Sequence, residues 1–222
     1  MKREGGGCCA MGCLTMVISA FVVLALILAA TWWAYGKALD TFTSRQPGNV
    51  QLEPVSDAQF AEASEKLAQV RNATASQESL TVGFTAAELN ALIARHPEFE
   101  EWRGKVHVAI ADSLVTLDLS VPLDDIPLPR MNRRWFVGNA QFGFVYGSGR
   151  FSFNLQSIGA NGRNVPDSVF RGIASVFDNS FNEGFDKTQQ EDARSKEFWS
   201  DVKSIGVVDD KLIVTTKGSE AI

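Results

Sequence analysis

The sequence predicts an α+β protein: an N-terminal transmembrane helix followed by one domain, in which helices cover one face of a curved antiparallel sheet. Three observations predict this. A long uncharged, apolar run comes first, between residues 14 and 36. Several later segments alternate apolar and polar residues and are joined by short turns, as antiparallel strands are. Helical patterns fall between groups of these strands instead of after each one, which is typical of α+β and not of α/β proteins.

The composition excludes several classes of protein. Of the 222 residues, 45% are hydrophobic and 21% are charged, which is too apolar for a disordered chain and suits one domain with an appendage. The formal net charge is −5. A nucleic-acid-binding protein normally needs a basic surface to displace phosphate counterions, so no nucleic-acid partner is expected.

The apolar run at 14–36 is long enough for one membrane span, because a helix rises about 1.5 Å per residue and the hydrocarbon layer is about 30 Å thick. Trp32, Trp33 and Tyr35 lie together near its C-terminal end, where amphipathic rings favour the headgroup level. A cleavable signal peptide is the alternative, but its apolar region is normally only about 7 to 15 residues long. An uncleaved signal anchor is therefore predicted.

The charges that flank the run set its predicted orientation. Lys2 and Arg3 precede it, whereas Lys37 and Arg45 follow it, so the positive-inside rule only slightly favours a cytoplasmic N-terminus. The predicted location is the inner or plasma membrane, with a single span and an extracytoplasmic C-terminal domain. Four regions result: a tail (1–13), the span (14–36), a stalk (37–55) and the extracytoplasmic domain (56–222).

The three cysteines, Cys8, Cys9 and Cys13, all lie before residue 14. The rest of the chain therefore has neither a disulfide nor a thiol nucleophile. Acylation near the membrane and metal binding are the functional interpretations, and small residues in a glycine-rich tail are the simpler one, which we favour. Three cysteines without a histidine make a poor zinc site, and no metal or cofactor is predicted.

The first elements of the domain have clear start signals. Ser56 opens a capping box, and apolar residues at helical spacing predict a helix up to Arg71. Alternation at 80–84 predicts a strand. A second capping box, formed by Thr85 and Glu88, predicts a short helix that stops at the next proline.

Three hairpins are predicted from alternating apolar residues on either side of a polar turn. The first joins 106–110 to 115–121, and the second joins 136–146 to 151–155. The third is a terminal hairpin over 207–214. Apolar residues of the second hairpin share one face while its return strand carries polar residues on the other, which is the pattern of a sheet with one covered face.

A helix is predicted to cover that face. It begins at Asp167, after a proline, and its apolar residues recur every three or four positions as far as Phe185. A charged connection over 186–196 is predicted next, followed by a short helical stretch over 198–202.

Groups that catalyse reactions are scarce. His96 follows a predicted helix end and His107 lies on the polar side of a strand, so both are interpreted as structural. The acidic pairs at 124–125 and 209–210 consist of adjacent residues, which point to opposite sides of an extended chain and do not form a catalytic dyad. With no recognisable nucleophile and base, the chain is predicted not to be an enzyme.

The aromatic content is high, with fifteen Phe and five Trp. Rings on the sheet face and on the covering helix can close on one another as core, or leave a groove for an acyl chain or another apolar ligand. Periodicity does not distinguish the two, and such stripes more commonly form core. The candidate ligand-contact residues are Phe142, Phe144, Phe151, Phe153, Phe170, Ile173, Phe177 and Phe181.

A basic loop is the other candidate contact region. Arg130, Arg133 and Arg134 lie beside Trp135 and Phe136 and are candidates for contact with lipid headgroups, since a cation near anionic lipid gains about 1 kcal/mol. The alternative, which we favour, is a solvated loop that enters a strand whose first aromatic residues are core.

Three segments together resemble the YpmS family of small single-pass bacterial proteins. They are LTVGFTAAELNALI at 80–93, Ser157-Ile158-Gly159 with Pro166 opening a helix, and SIGVVDDKLIV at 204–214. The resemblance implies an anchored extracytoplasmic domain with a strand, an "ELN" helix and a curved sheet, similar to tubular lipid-binding folds. It also implies a function without catalysis.

The leading hypothesis is therefore a membrane-anchored, extracytoplasmic, non-enzymatic domain that binds a lipid or another apolar ligand. The alternative is an interaction or structural subunit of a cell-envelope or secretion assembly, with another envelope protein as its partner.

Overall fold

The computed structural model describes residues 26, 28, 30, 32–50, 54–124 and 129–218, with the backbone alone at 167–177. The chain divides into two compact units, Met1–Thr41 and Phe42–Ile222. Residues 32–42 form a helix, α1. Most of the predicted span lies outside the described residues, as do the three cysteines and Asp125. None of the helices in the described part of the chain is both long enough and apolar enough to cross a membrane.

The larger unit is α+β with a large antiparallel sheet, which confirms the predicted class. In chain order its elements are α2 (Asp57–Ser76), β1 (Thr81–Thr85), α3 (Ala86–Arg95), a 3-10 helix (Pro97–Trp102), β2 (Val106–Ala111), β3 (Leu114–Pro122), β4 (Trp135–Gly147), β5 (Arg150–Ala160), β6 (Arg163–Asn164), α4 (Asp167–Glu191), α5 (Ala193–Asp201), β7 (Val202–Val208) and β8 (Lys211–Thr216).

Strand β4 is the centre of the sheet. Its 13 residues pair with β5 along one edge, while the other edge pairs first with β3 and then, at its end, with β7. Beyond β3 lies β2, and beyond β7 lie β8 and then β1. The three predicted hairpins are confirmed, but the long-range pairs β1–β8 and β4–β7 had no signal in the sequence.

Each predicted hairpin turns through two residues with positive φ. They are Asp112–Ser113, Ser148–Gly149 and Asp209–Asp210. Positive φ at both central positions is the geometry whose twist matches that of the flanking strands. The acidic pair at 209–210 is therefore a turn, as predicted.

Both predicted capping boxes are present, and Ser56 and Thr85 cap α2 and α3. The predicted end of the first helix, at Arg71, is wrong by five residues, because α2 continues to Ser76. Ala73, within that extra turn, is buried. Tertiary packing thus extends the helix through a stretch of small and polar residues whose own pattern does not predict it.

The connection predicted over 186–196 is also wrong. Helix α4 continues to Glu191, and Asp192 then caps α5 by accepting a hydrogen bond from the Arg194 backbone N–H at 3.0 Å. Val202, predicted to be helical, is instead the first residue of β7 and is buried. A β-branched residue that is buried at a strand start follows the preference of its side chain for extended backbone.

The core contains two apolar clusters that meet at α3. One lies between α2, α3, β1 and β8 and includes Ala63, Phe84 and Leu92. The other centres on Val106 and Val108 of β2 and on β3 and β4. Leu89 contacts both clusters, so α3 joins the two parts of the sheet that diverge from β4.

Candidate functional site

Each side chain of the Glu88-Leu89-Asn90 motif has a structural role. The Glu88 carboxylate accepts a hydrogen bond from the Thr85 backbone N–H at 2.7 Å and forms an ion pair with Lys66 of α2. Burial by itself would raise the pKa of Glu88, but the hydrogen bonds from Lys66 and Thr85 outweigh it and hold this pKa below its usual range. The hydrogen bond between Lys66 and Glu88 also raises the pKa of Lys66.

Asn90 completes the free edge of β2. Its Nδ2 donates to the Val108 carbonyl at 2.7 Å, and its Oδ1 accepts from the Val108 N–H at 2.8 Å. One carboxamide thereby satisfies both backbone groups that an adjacent strand would otherwise satisfy. The motif is accounted for by folding, and it supplies no group for a ligand.

An aromatic surface covers one face of β4 and β5. Phe142 and Phe144 of β4 lie on the same side of the sheet as Phe151 and Phe153 of β5. The ring centroids of Phe142 and Phe153 are 5.9 Å apart, and those of Phe144 and Phe153 are 6.1 Å apart. All four side chains are half-buried.

Helix α4 and helix α5 add rings above this surface. Phe181 of α4 lies 4.8 Å from the ring of Phe153, and Trp199 of α5 lies 5.1 Å from the ring of Tyr146. Tyr146 is 2% exposed, donates to the Trp199 carbonyl at 3.3 Å, and has its pKa raised by burial. Phe181, by contrast, is 39% exposed. The surface is therefore closed at the Tyr146 end and accessible at Phe181.

We call Phe142, Phe144, Phe151, Phe153 and Phe181 the aromatic face. All five were predicted as ligand contacts, and the structure brings them together. The other three predicted contacts belong to α4, but their side chains lie outside the described residues. They are Phe170, Ile173 and Phe177.

Two polar side chains hold α4 against the edge of β5. Asn182 accepts a hydrogen bond from the Phe151 N–H and donates one to the Phe151 carbonyl, both at 2.9 Å. Asp178, one helical turn earlier, accepts from the Phe153 N–H at 3.2 Å. Sequence reasoning missed both residues. Their signal is a pair of polar residues four positions apart beside the apolar stripe of a helix.

The three arginines of the basic loop have different environments. Arg130 and Arg133 are exposed. Arg134 is only 8% exposed, and its guanidinium donates to Thr43 Oγ1 at 2.7 Å and to the Arg130 carbonyl at 3.1 Å. Arg134 therefore ties the loop to the segment that follows α1, while the side chains of Arg130 and Arg133 are exposed.

His96 follows the end of α3 and His107 lies on β2, at the positions in the elements that the sequence predicts. His96 accepts a hydrogen bond from the Glu98 N–H at 3.3 Å at the start of the 3-10 helix. His107 lies beside Asp118, with 3.4 Å between Nδ1 and Oδ2. Within the described ranges, no group of three or more His, Cys, Asp or Glu residues is placed to hold a metal ion.

Comparison with known proteins supplies no relative: the chain matches no protein-family model, no curated protein and no solved structure. We therefore infer function from the geometry of the chain's own residues.

Proposed function

We propose that the chain is a non-enzymatic, membrane-anchored extracytoplasmic domain that binds a lipid or another apolar ligand on its aromatic face. The observation that carries this proposal is the incomplete burial of that face. Four of its Phe rings contact other rings yet stay half-buried, and Phe181 is 39% exposed. Large apolar side chains that cluster while remaining accessible are typical of ligand-binding surfaces.

The arrangement of elements supports the same function. Strands β4 and β5 supply a wall of rings, and α4 runs beside it, held at the β5 edge by Asp178 and Asn182. The first half of α4, residues 167–177, carries the remaining predicted contacts. In this proposal the sheet is the curved wall and α4 is the cover of an apolar ligand site.

The energetics favour a ligand with a long chain. Each buried methylene contributes about 0.8 kcal/mol, so ten contribute about 8 kcal/mol. Association itself costs at least about 4 kcal/mol in lost translational and rotational freedom. Affinity is therefore expected to rise with acyl-chain length, and chains much shorter than about ten carbons are expected to bind weakly.

The proposed location follows from the predicted span at 14–36 and from the resemblance to the YpmS family. A domain anchored beside a bilayer meets lipid at high local concentration, and the exposed cations Arg130 and Arg133 suit contact with anionic headgroups. The N-terminus is proposed to be cytoplasmic and the domain extracytoplasmic.

A second candidate function is supported by the opposite face of the sheet. Val145 and Val208 are 59% and 54% exposed there. Exposed β-branched residues on a sheet face suit contact with another protein, as in an interaction subunit of an envelope assembly.

Photo-crosslinking in native membranes separates the two functions. Phe181 of the full-length chain is replaced by p-benzoylphenylalanine, which keeps an aromatic ring at this site, and the matched control carries the same residue at Val145. Mass spectrometry of the irradiated protein is expected to find a lipid adduct at position 181 and none at 145. A protein adduct at either position, with no lipid at 181, would instead establish the interaction subunit.

A further inference from the structure

A polar groove lies on the side of the sheet opposite the aromatic face. Its volume is about 510 Å³, within the range of about 300 to 1,000 Å³ that small-molecule sites occupy. The lining residues used below are Asn49, Val50, His107, Asp118, Val137 and Asn139.

One wall of the groove is a row of side chains across three strands. His107 of β2 is paired with Asp118 of β3, which is paired with Asn139 of β4. Directly opposed residues project to the same face of a sheet. Since side chains alternate along each strand, these three point away from the face that carries Val108 and Phe142.

The other wall is the segment after α1, residues 43–50, which we call the strap. It is joined to β4 by two backbone hydrogen bonds between Ser44 and Trp135, of 2.9 and 2.8 Å. Further along, the Gly48 N–H donates to Ser120 Oγ at 2.8 Å. A Cβ at Gly48 would lie 2.4 Å from Val137 Cγ1, so only glycine allows this approach. The strap is thus part of the folded unit, although the sequence predicts a stalk there.

The groove contains hydrogen-bonding groups that the folded chain does not use. In the part of the chain that the structure describes, the carboxamides of Asn49 and Asn139 make no hydrogen bond, and His107 and Asp118 face only each other at 3.4 Å. Together they offer several donors and acceptors. An apolar ligand would remove these groups from water without satisfying them, which is unfavourable.

The charge of the lining narrows the ligand class further. Among the lining residues that the structure describes there is one carboxylate, that of Asp118, and neither lysine nor arginine. A phosphate or carboxylate ligand would therefore meet repulsion from Asp118 without a lysine or arginine among the described lining residues to offset it. Neutral ligands that both donate and accept hydrogen bonds fit the groove.

We propose that this groove binds a neutral saccharide. A sugar ring presents hydroxyl groups in several directions around its edge, which matches polar side chains that converge from three strands and the strap. Its C–H face is apolar, and Val50 and Val137 supply apolar surface beside the polar row. An extended peptide fits less well, since its backbone groups lie in one plane and are bound by a strand edge. This site is independent of the aromatic face and of the function proposed for it.

Saturation-transfer NMR on the full-length chain in lipid nanodiscs tests the proposal. The probes are chitotriose and maltotriose as neutral saccharides and trialanine as a peptide. At least one saccharide is expected to receive saturation. The substitutions Asn139→Ala and Asp118→Asn are each expected to weaken its binding at least about fivefold, because each removes hydrogen bonds to the ligand. The matched control is Asn154→Ala, an exposed asparagine on the same sheet face outside the groove, which is expected to bind as the parent does.

Other results would overturn the saccharide site. They are transfer to neither saccharide, transfer to trialanine alone, and saccharide binding that Asn139→Ala and Asp118→Asn leave unchanged. Thermal unfolding followed by circular dichroism shows whether each variant is folded. The photo-crosslinking result at position 181 is unaffected by these substitutions, so the two sites succeed or fail separately.

Discussion

Helices α3 and α4 both hold the edge of a strand with an asparagine, but they do so in different surroundings. Asn90 of α3 binds both backbone groups of Val108, and Asn182 of α4 binds both backbone groups of Phe151. Helix α3 also packs between two apolar clusters, where Leu92 is fully buried. Helix α4 instead places Phe181 on the rings of Phe151 and Phe153, which are half-buried.

The difference indicates which region is scaffold and which is suited to binding. Where polar edge contacts and a buried apolar stripe coincide, as at α3, opening the helix requires disruption of the core. Where the polar contacts hold a helix over an accessible aromatic surface, as at α4, local opening costs less than global unfolding. A ligand site that must admit an acyl chain fits the second region.

The largest expected effect is that of truncating the buried stripe of α3. Leu92→Ala removes a fully buried side chain and leaves a cavity, and is expected to lower the free energy of unfolding by about 4 kcal/mol. Chemical denaturation measures this loss. A loss below about 1 kcal/mol would mean that α3 does not depend on its core contacts and would remove the contrast with α4.

The next largest effects are expected at the asparagines that hold the strand edges, and the effects are expected to differ between α3 and α4. Asn90→Ala leaves the N–H and C=O of Val108 without partners in a buried edge and is expected to lower the free energy of unfolding by about 2 to 3 kcal/mol. Asn182→Ala removes the same kind of contact at Phe151, but its main expected effect is local, because we expect α4 to separate from β5 before the sheet unfolds.

Hydrogen exchange distinguishes these outcomes. In Asn182→Ala the amides of Phe151 and Phe153 are expected to exchange faster, while that of Val108 keeps its protection. Equal loss of protection at all three amides would show that α4 and α3 unfold together.

A smaller effect concerns pH and the ion pair of α3 with α2. The pKa of Glu88 is lowered in the folded state from its ordinary value of 4.5, so its contribution to stability is present above that value and is lost as pH falls through the folded pKa. Lys66 has a raised pKa, so its contribution is fully present below its ordinary value of 10.5 and is lost as pH rises through the folded pKa.

Glu88→Gln is therefore expected to flatten the acid side of the stability profile. Denaturation midpoints are measured from pH 7 to pH 3, an interval of about four units that includes the ordinary carboxylate pKa. They are expected to fall less steeply with decreasing pH in the variant than in the parent. The matched control is Glu101→Gln, at an exposed residue of the 3-10 helix. If the stability profile of this control were as flat as that of Glu88→Gln, the acid sensitivity would come from the net charge of the protein and not from the Glu88–Lys66 ion pair.

The smallest expected change in stability is at the aromatic face. Phe181→Ala removes a ring that is 39% exposed and is expected to cost about 1 to 2 kcal/mol in the free energy of unfolding. Binding of a fluorescent fatty acid such as cis-parinaric acid to the full-length chain in nanodiscs is expected to weaken markedly. A stability loss as large as that of Leu92→Ala, with binding unchanged, would identify the face as core and contradict the proposed function.

The candidate site could be predicted only in part. The alternation of apolar and polar residues places Phe142 and Phe144 on one face with Phe151 and Phe153. This part could be predicted because the direction of successive side chains depends on strand geometry alone. The degree to which these rings are buried has no such signal, since it depends on where α4 and α5 lie. The role of Asn182 depends on which strand edge stays unpaired, and that is a property of the whole sheet.

The sequence by itself determined the caps of α2 and α3, the three hairpins, their turns and the α+β class. Each of these has a signal in residues only a few positions apart, because caps, turns and alternation depend on local backbone geometry. Tertiary structure alone decided the pairing of β1 with β8, the approach of the strap to β4 and the difference in burial between Tyr146 and Phe181. These contacts join distant residues, such as Leu80 and Thr216 with 2.9 Å between N and O, and their stability comes from the packing that brings the two segments together.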